Sequence, residues 1–179
     1  VSANPTASSS AFAHLTNMLS AMGDGDYESE AAWTFVEDLF ANTVVIDSSS
    51  SVWKGVRDGE YTVGLSYEDP SVTLVRDGAD VEVIYMKEGV VYLPAGSAII
   101  KDAVNLLNAQ RFIDLITSPE IQNAFGTTLT NRPVMANVET PEYMTNIADI
   151  NVLAEDMEYV YLNKEAIQEH FKEIFVVTQ

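Results

Sequence analysis

The sequence predicts an α/β layered fold. Three observations carry that reading: apolar residues recur at helical spacing, short β-branched runs lie between those stretches, and 179 residues at 47% hydrophobic content suffice to bury a core. Thr6 and Ser8–Ser10 precede a first helix whose stripe is Phe12, Leu15, Leu19 and Met22, with Gly23 as its stop. Asp24-Gly25-Asp26 reads as a turn. A second helix spans Ser29 to Ala41, with Ala32, Trp33, Val36, Leu39 and Phe40 inward. Val44–Ile46 is short and β-branched. Ser48–Ser51 opens a third helix through Val52, Trp53 and Val56, ending at Asp58-Gly59.

Tyr61 to Ser66 alternates as a strand. Tyr67-Glu68-Asp69-Pro70 follows, and Pro70 suits the first turn of a helix from Ser71 to Asp77. Val81–Tyr85 is a predicted strand, and Val90–Leu93 and Gly96–Ile100 are predicted to be extended. Asn105–Thr117 is a predicted helix with Leu106, Ala109, Ile113 and Ile116 on one side, and Ser118-Pro119 caps the next. The region from Asn131 to Leu162 carries no clear pattern. Lys164–Val176 is an amphipathic helix bearing Ile167, Phe171, Ile174 and Phe175.

Composition excludes several functions. Nine Lys plus Arg against 27 Asp plus Glu give a net charge of −18, a field that repels nucleic acid and anionic membranes. The absence of cysteine excludes disulfides, thiolate metal sites and cysteine nucleophiles. No apolar run approaches the roughly 20 residues a bilayer span needs. Val1–Pro5 has no signal-peptide pattern and reads as a strand end entering a turn, so targeting information is expected upstream. His14 and His170 have no metal-ligand spacing and are expected to face solvent. Asp24–Glu28 fails the calcium-loop pattern, because Ser29 and Phe35 stand where glycine and glutamate are required. There is no phosphate loop, dinucleotide fingerprint or nucleophile elbow. Catalysis would rest on carboxylates alone, and nothing pairs them. A plain interaction domain would need Trp33 and Trp53 exposed, yet both fall on predicted inner faces.

Two features carry chemistry. Thr6, Ser8, Ser9 and Ser10 surround a helix N-terminus, where hydroxyls, free N–H groups and the helix dipole can hold an anion; ordinary capping is the alternative. Ser48–Ser51, with Ser50 and Ser51 as candidates, repeats the arrangement. Tyr67, Glu68 and Asp69 follow a predicted strand, at the end where α/β sheets place ligands; a simple helix first turn is the alternative there.

The order of these pieces resembles the latter part of bacterial ABC-transporter solute-binding proteins with the type 2 periplasmic-binding fold, in the ferric-ion, organophosphate and sugar-phosphate branch. Asn4–Phe12 resembles the family's anion-binding turn, with Ser9 in place of its usual glycine. Ser49–Val56 with Asp58–Leu65 resembles its helix followed by a Gly-Glu strand. Tyr67–Pro70 is similar to its ligand-contacting loop, Pro94–Lys101 to its hinge-return strand, Ala109–Gln122 to a helix pair, and Asn131–Val134 to the turn after it.

The resemblance implies one lobe of a mixed sheet flanked by helices, formed by residues 1–86 with 134–179, while 87–133 return to a first lobe encoded upstream. That segment would then cover its apolar face on the remaining lobe or on another copy in a homo-oligomer. It further implies a non-enzymatic extracytoplasmic receptor, periplasmic or extracellular, with a lipid anchor upstream as one mode of attachment. Its partners would be a small anionic or phosphorylated solute, bound between the lobes, and an ABC permease; no cofactor is expected. Thr6, Ser8, Ser9 and Ser10 would hold the anionic group, Ser50 and Ser51 are further ligand-binding candidates, Glu68 and Asp69 would accept hydrogen bonds from solute hydroxyls, and Tyr67 would stack or donate. The alternative is a ferric-ion receptor using Tyr67 with Glu68 or Asp69, although iron-binding members use adjacent tyrosines and here the pair reads Ser66-Tyr67.

Overall fold

The computed structural model describes residues 1–135 and 138–178, with side chains in the last helix described to residue 175. Residues 136, 137 and 179, within the expected 134–179 portion, lie outside the described residues. The chain divides into two compact units, residues 1–92 with 147–179 and residues 93–146. The fold class is α/β, as expected, with helices set around short parallel strand pairs.

In the first unit, β1 (Ser2–Ala3) pairs in parallel with β2 (Val45–Ile46), Ser2 opposite Val45. Ser2 N donates to Val44 O and Asn4 N to Ile46 O. On the other side, Val1 N donates to Val63 O at 2.8 Å and Leu65 N to Val1 O at 3.0 Å. Alternate residues bond to opposite neighbours, so β1 is central and residues 63–65 run beside it in parallel. The predicted strand Tyr61–Ser66 is thus reduced to its middle. Gly64 permits the approach of α3 (Ser49–Arg57): a Cβ there would come within 2.8 Å of Val56 and 2.9 Å of Val52.

α1 (Ser9–Met22) starts where the sequence places it, with Ser8 as N-cap and Gly23 as C-cap. Its apolar face, Phe12, Leu15 and Leu19, is buried against α2 (Glu30–Ala41) and α8 (Lys164–Thr178). Met22, expected on that face, is exposed at the helix end. Phe171 of α8 meets Phe40 of α2 edge-on, with ring centroids 4.8 Å apart. Trp33 is buried and donates through Nε1 to Tyr27 O at 3.0 Å, and Tyr27 stacks on Tyr159 of α7 (Met157–Leu162). His170 is exposed, as expected, though its ring stacks on Trp33 at 4.0 Å.

The opposite face of α1 is polar and also buried. Asn17 donates to Gly89 O at 3.2 Å and accepts from Val91 N at 2.5 Å. It thereby fixes β3 (Val90–Val91), which pairs in parallel with β4 (Val152–Leu153) beyond a short 3₁₀ turn, Ile147–Asp149. The helix expected at Ser71–Asp77 begins earlier, as α4 (Glu68–Arg76), so Glu68 and Asp69 form its first turn. Val81–Tyr85 keeps a two-residue alternation of half-buried and exposed side chains but forms no ladder among the described residues; Gly96–Ile100 forms none either. Alternation sets the direction of side chains, whereas a strand also needs a neighbour about 4.8 Å away to take its backbone groups.

The second unit contains α5 (Leu106–Ile116) and α6 (Pro119–Thr127). Ser118 caps α6 by accepting from Ile121 N, as its Ser-Pro start predicts. Buried Gln122 donates to Ile116 O and accepts from Val134 N, tying both helices to the following turn. On α5, Ala109, Ile113 and Ile116 are half-buried, while Leu106 is exposed.

Two substitutions test the two faces of α1. Phe171→Ala removes a ring only 1% exposed and should cost about 3–5 kcal/mol, read as a lowered urea midpoint. An unchanged midpoint would show that α8 does not close this core. Asn17→Leu strands two backbone groups, Gly89 O and Val91 N, and should cost about 1–3 kcal/mol for each group left unpaired. Stability within about 0.5 kcal/mol of the parent chain would refute that role.

Candidate functional site

Three chain segments leave the central ladder at the same end. They are Asn4 after β1, Asp47 after β2, and Ser66 after the 63–65 segment. Parallel strands put their carboxyl ends on one edge, and α/β sheets bind ligands outside that edge. The candidate residues follow these three exits directly.

Asn4 organises the first exit. Its carbonyl accepts from Ala7 N and Ser8 N, and its Oδ1 accepts from Thr6 N and Thr6 Oγ1, both at 2.9 Å. The buried Pro5 is held from α8, where Gln168 Nε2 donates to Pro5 O at 3.0 Å. Ser8 Oγ accepts from Ala11 N at 3.4 Å and lies 3.1 Å from Ser10 Oγ. Ser9 is exposed, and Thr6, Ser8 and Ser10 are half-buried. The first-turn amides of α1 have no acceptor inside the helix, so their N–H groups and dipole point out of its start. Lys164 Nζ stands 5.6 Å from the centroid of the Phe12 ring, adding a cation near the first turn of α1.

The second exit enters α3 through Ser48, whose side chain makes no capping bond. Its Oγ lies 2.9 Å from Ser50 Oγ; Ser50 is half-buried and Ser51 exposed. No hydrogen bond among the described residues joins this serine cluster to the first. The third exit leads into α4. Tyr67 is 44% exposed at the N-cap, and Glu68 and Asp69 are half-buried in the first turn, where the dipole favours carboxylates. Glu68 also accepts a short hydrogen bond from the Tyr85 hydroxyl. Segment 81–85, though outside any ladder, therefore delivers a second phenol beside the Tyr67–Asp69 group.

His14 joins the first exit to the third. It is half-buried with its Nδ1 shielded from water, in contrast to its expected solvent-facing position, and its ring lies against the Ser66 backbone. Burial pushes its pKa down to about 4, and the Ser66 contact only partly opposes this. The correction follows from helix geometry. Ser10, His14 and Asn17 fall at i, i+4 and i+7, one face of α1, and that face packs on segments 66 and 89–91. That spacing was the available signal for His14 and Asn17. Nothing local in the sequence marked Tyr85 or Gln168, whose partners lie 17 and 163 residues away.

Among the described residues there is no group of three or more His, Cys, Asp or Glu placed to hold a metal ion, and no helix long and apolar enough to cross a membrane. A sequence profile described as bacterial extracellular solute-binding protein matches residues 1–152. No match was found among curated proteins or among solved structures. The match spans well over half of the chain and covers β1, both serine-rich helix starts and the Tyr67–Asp69 turn, and on that basis the chain belongs to the bacterial extracellular solute-binding protein family.

Proposed function

We propose that this solute-binding chain serves an ABC importer as the receptor for a small anionic solute, a phosphorylated organic molecule such as a sugar phosphate. The observation that carries the reading is the start of α1. The hydroxyls of Ser8 and Ser10, 3.1 Å apart, the exposed Ser9 and the first-turn amides follow the carboxyl edge of a parallel ladder. The Thr6 hydroxyl donates to Asn4, so its part is to shape the turn. Ser50 and Ser51 form the outer border at the start of α3. Glu68 and Asp69 accept hydrogen bonds from solute hydroxyls, and Tyr67 supplies a ring face or a hydroxyl donor. Binding needs no catalytic group, and the permease is the partner that receives the solute.

The net charge of −18 does not oppose this. At physiological salt the Debye length is about 8 Å, so distant surface carboxylates are screened while donors in contact with the anion are not. Isothermal titration calorimetry with a panel of sugar phosphates tests the reading. Micromolar or tighter binding is expected with at least one member, weakened about tenfold by Ser10→Ala, the loss of one hydrogen bond to a charged group. Heat with a neutral or cationic solute, and with none of the phosphorylated ones, would refute it.

The Tyr85–Glu68 hydrogen bond favours a second reading, a ferric-ion receptor in which Tyr67 and Tyr85 supply phenolates beside Glu68. Adding ferric citrate should then produce a visible tyrosinate-to-iron absorption band that Tyr67→Phe diminishes. A colourless mixture removes this reading.

A further inference from the structure

His14 sits on α1 one turn beyond Ser10, in contact with the backbone at Ser66, one residue before Tyr67. Its Nδ1 is buried and meets no donor or acceptor. We propose that His14 is a proton-operated latch between α1 and the Ser66–Tyr67 strand end: neutral, it holds the two together, and protonated, it parts them. The consequence for solute binding rests on the anion reading above, because Ser10 and Tyr67 lie on opposite sides of this seam.

A neutral imidazole has one N–H and one bare nitrogen, so it tolerates a buried nitrogen without a donor. Protonation makes both nitrogens donors, and Nδ1 has no acceptor in the closed arrangement. A buried cation also needs a counter-charge. α1 contains no acidic or basic residue apart from His14. Along the facing elements the ionisable groups are the Val1 amino group beside residues 63–65, Tyr67, Glu68 and Asp69 after Ser66, Glu88 before Gly89, and Glu155, which accepts from Thr16 Oγ1; the ionisation of His14 is governed by burial first and the Ser66 backbone second. The proton is therefore accommodated by opening the seam to water.

The closed state holds His14 neutral down to about pH 4, whereas an opened, hydrated imidazole takes a proton near pH 6.5. Closure has its full advantage above pH 6.5 and loses it progressively as pH falls from 6.5 to 4. Asn17, on the same face, does not titrate and keeps the 89–91 side of α1 closed throughout.

NMR on the whole chain tests this without any solute. The His14 ring resonances should titrate about two units or more below the ordinary histidine value near 6.5. Over the same range, the protection factor of the Leu65 amide, bonded to Val1 O, should fall by about tenfold relative to the buried Val36 amide in α2. His14→Gln, neutral at every pH, should abolish that relative fall; His14→Leu provides a second uncharged variant if the first does not fold. If His14 titrates near 6.5 like an ordinary imidazole, or the relative fall persists in the uncharged variants, the latch is refuted. If the seam opens as described and no phosphorylated solute binds at any pH, the latch stands and the anion reading fails.

Discussion

The two-sided ladder through β1 is the constraint on which the rest depends. Val1, Ser2 and Asn4 spend their backbone groups alternately on residues 63–65 and 44–46, so three chain segments run the same way and end together. Each segment then enters a helix start: Ser8 before α1, Ser48 before α3, Tyr67 before α4. A parallel arrangement makes this juxtaposition obligatory, because connections between parallel strands must cross back to the opposite edge. With antiparallel neighbours the same three starts would be divided between two edges.

α1 holds the candidate site in place because both its faces are committed. Phe12, Leu15 and Leu19 fix it to α2 and α8 by apolar burial, while His14 meets the third exit at Ser66 and Asn17 holds β3 by polar contacts. The apolar seam is strong and undirected; the polar seam is weaker and sets register. Gln168 joins the two systems, since it belongs to the core helix α8 yet holds the carbonyl of Pro5 in the site turn. Rigidity at the serine cluster is thus drawn from the hydrophobic core at some distance from it.

Most helices were legible because their determinants are local. Gly23 ended α1, Ser118-Pro119 opened α6, and the Ile167–Phe171–Ile174 stripe marked α8. The strand expected at 81–85 and the extended run at 96–100 rested on pattern alone, and a ladder depends on a partner that no local pattern specifies. Within the candidate site, the serines and the Tyr67–Asp69 turn were visible because helix starts carry a compositional signature. The partners of those groups were not: His14 passed for a surface residue, and Tyr85 gave no sign that it would reach Glu68. What decided these was which helix face met which strand end, a tertiary fact.

The acidic residues beside the proposed anion site then pose the question of like charge. Glu68 and Asp69 follow the third exit, while Ser8–Ser10 follow the first, on the central strand. The first turn of α4 supplies a positive dipole end for the carboxylates, and the Tyr85 hydroxyl donates to Glu68. Their charge is therefore partly satisfied before any solute arrives. The start of α1 has the same dipole and no acidic residue in its first turn, so its field is directed outward. Two helix starts of equal polarity thereby differ, one already occupied by carboxylates from its own sequence and the other, in the proposed reading, left to an anion from outside.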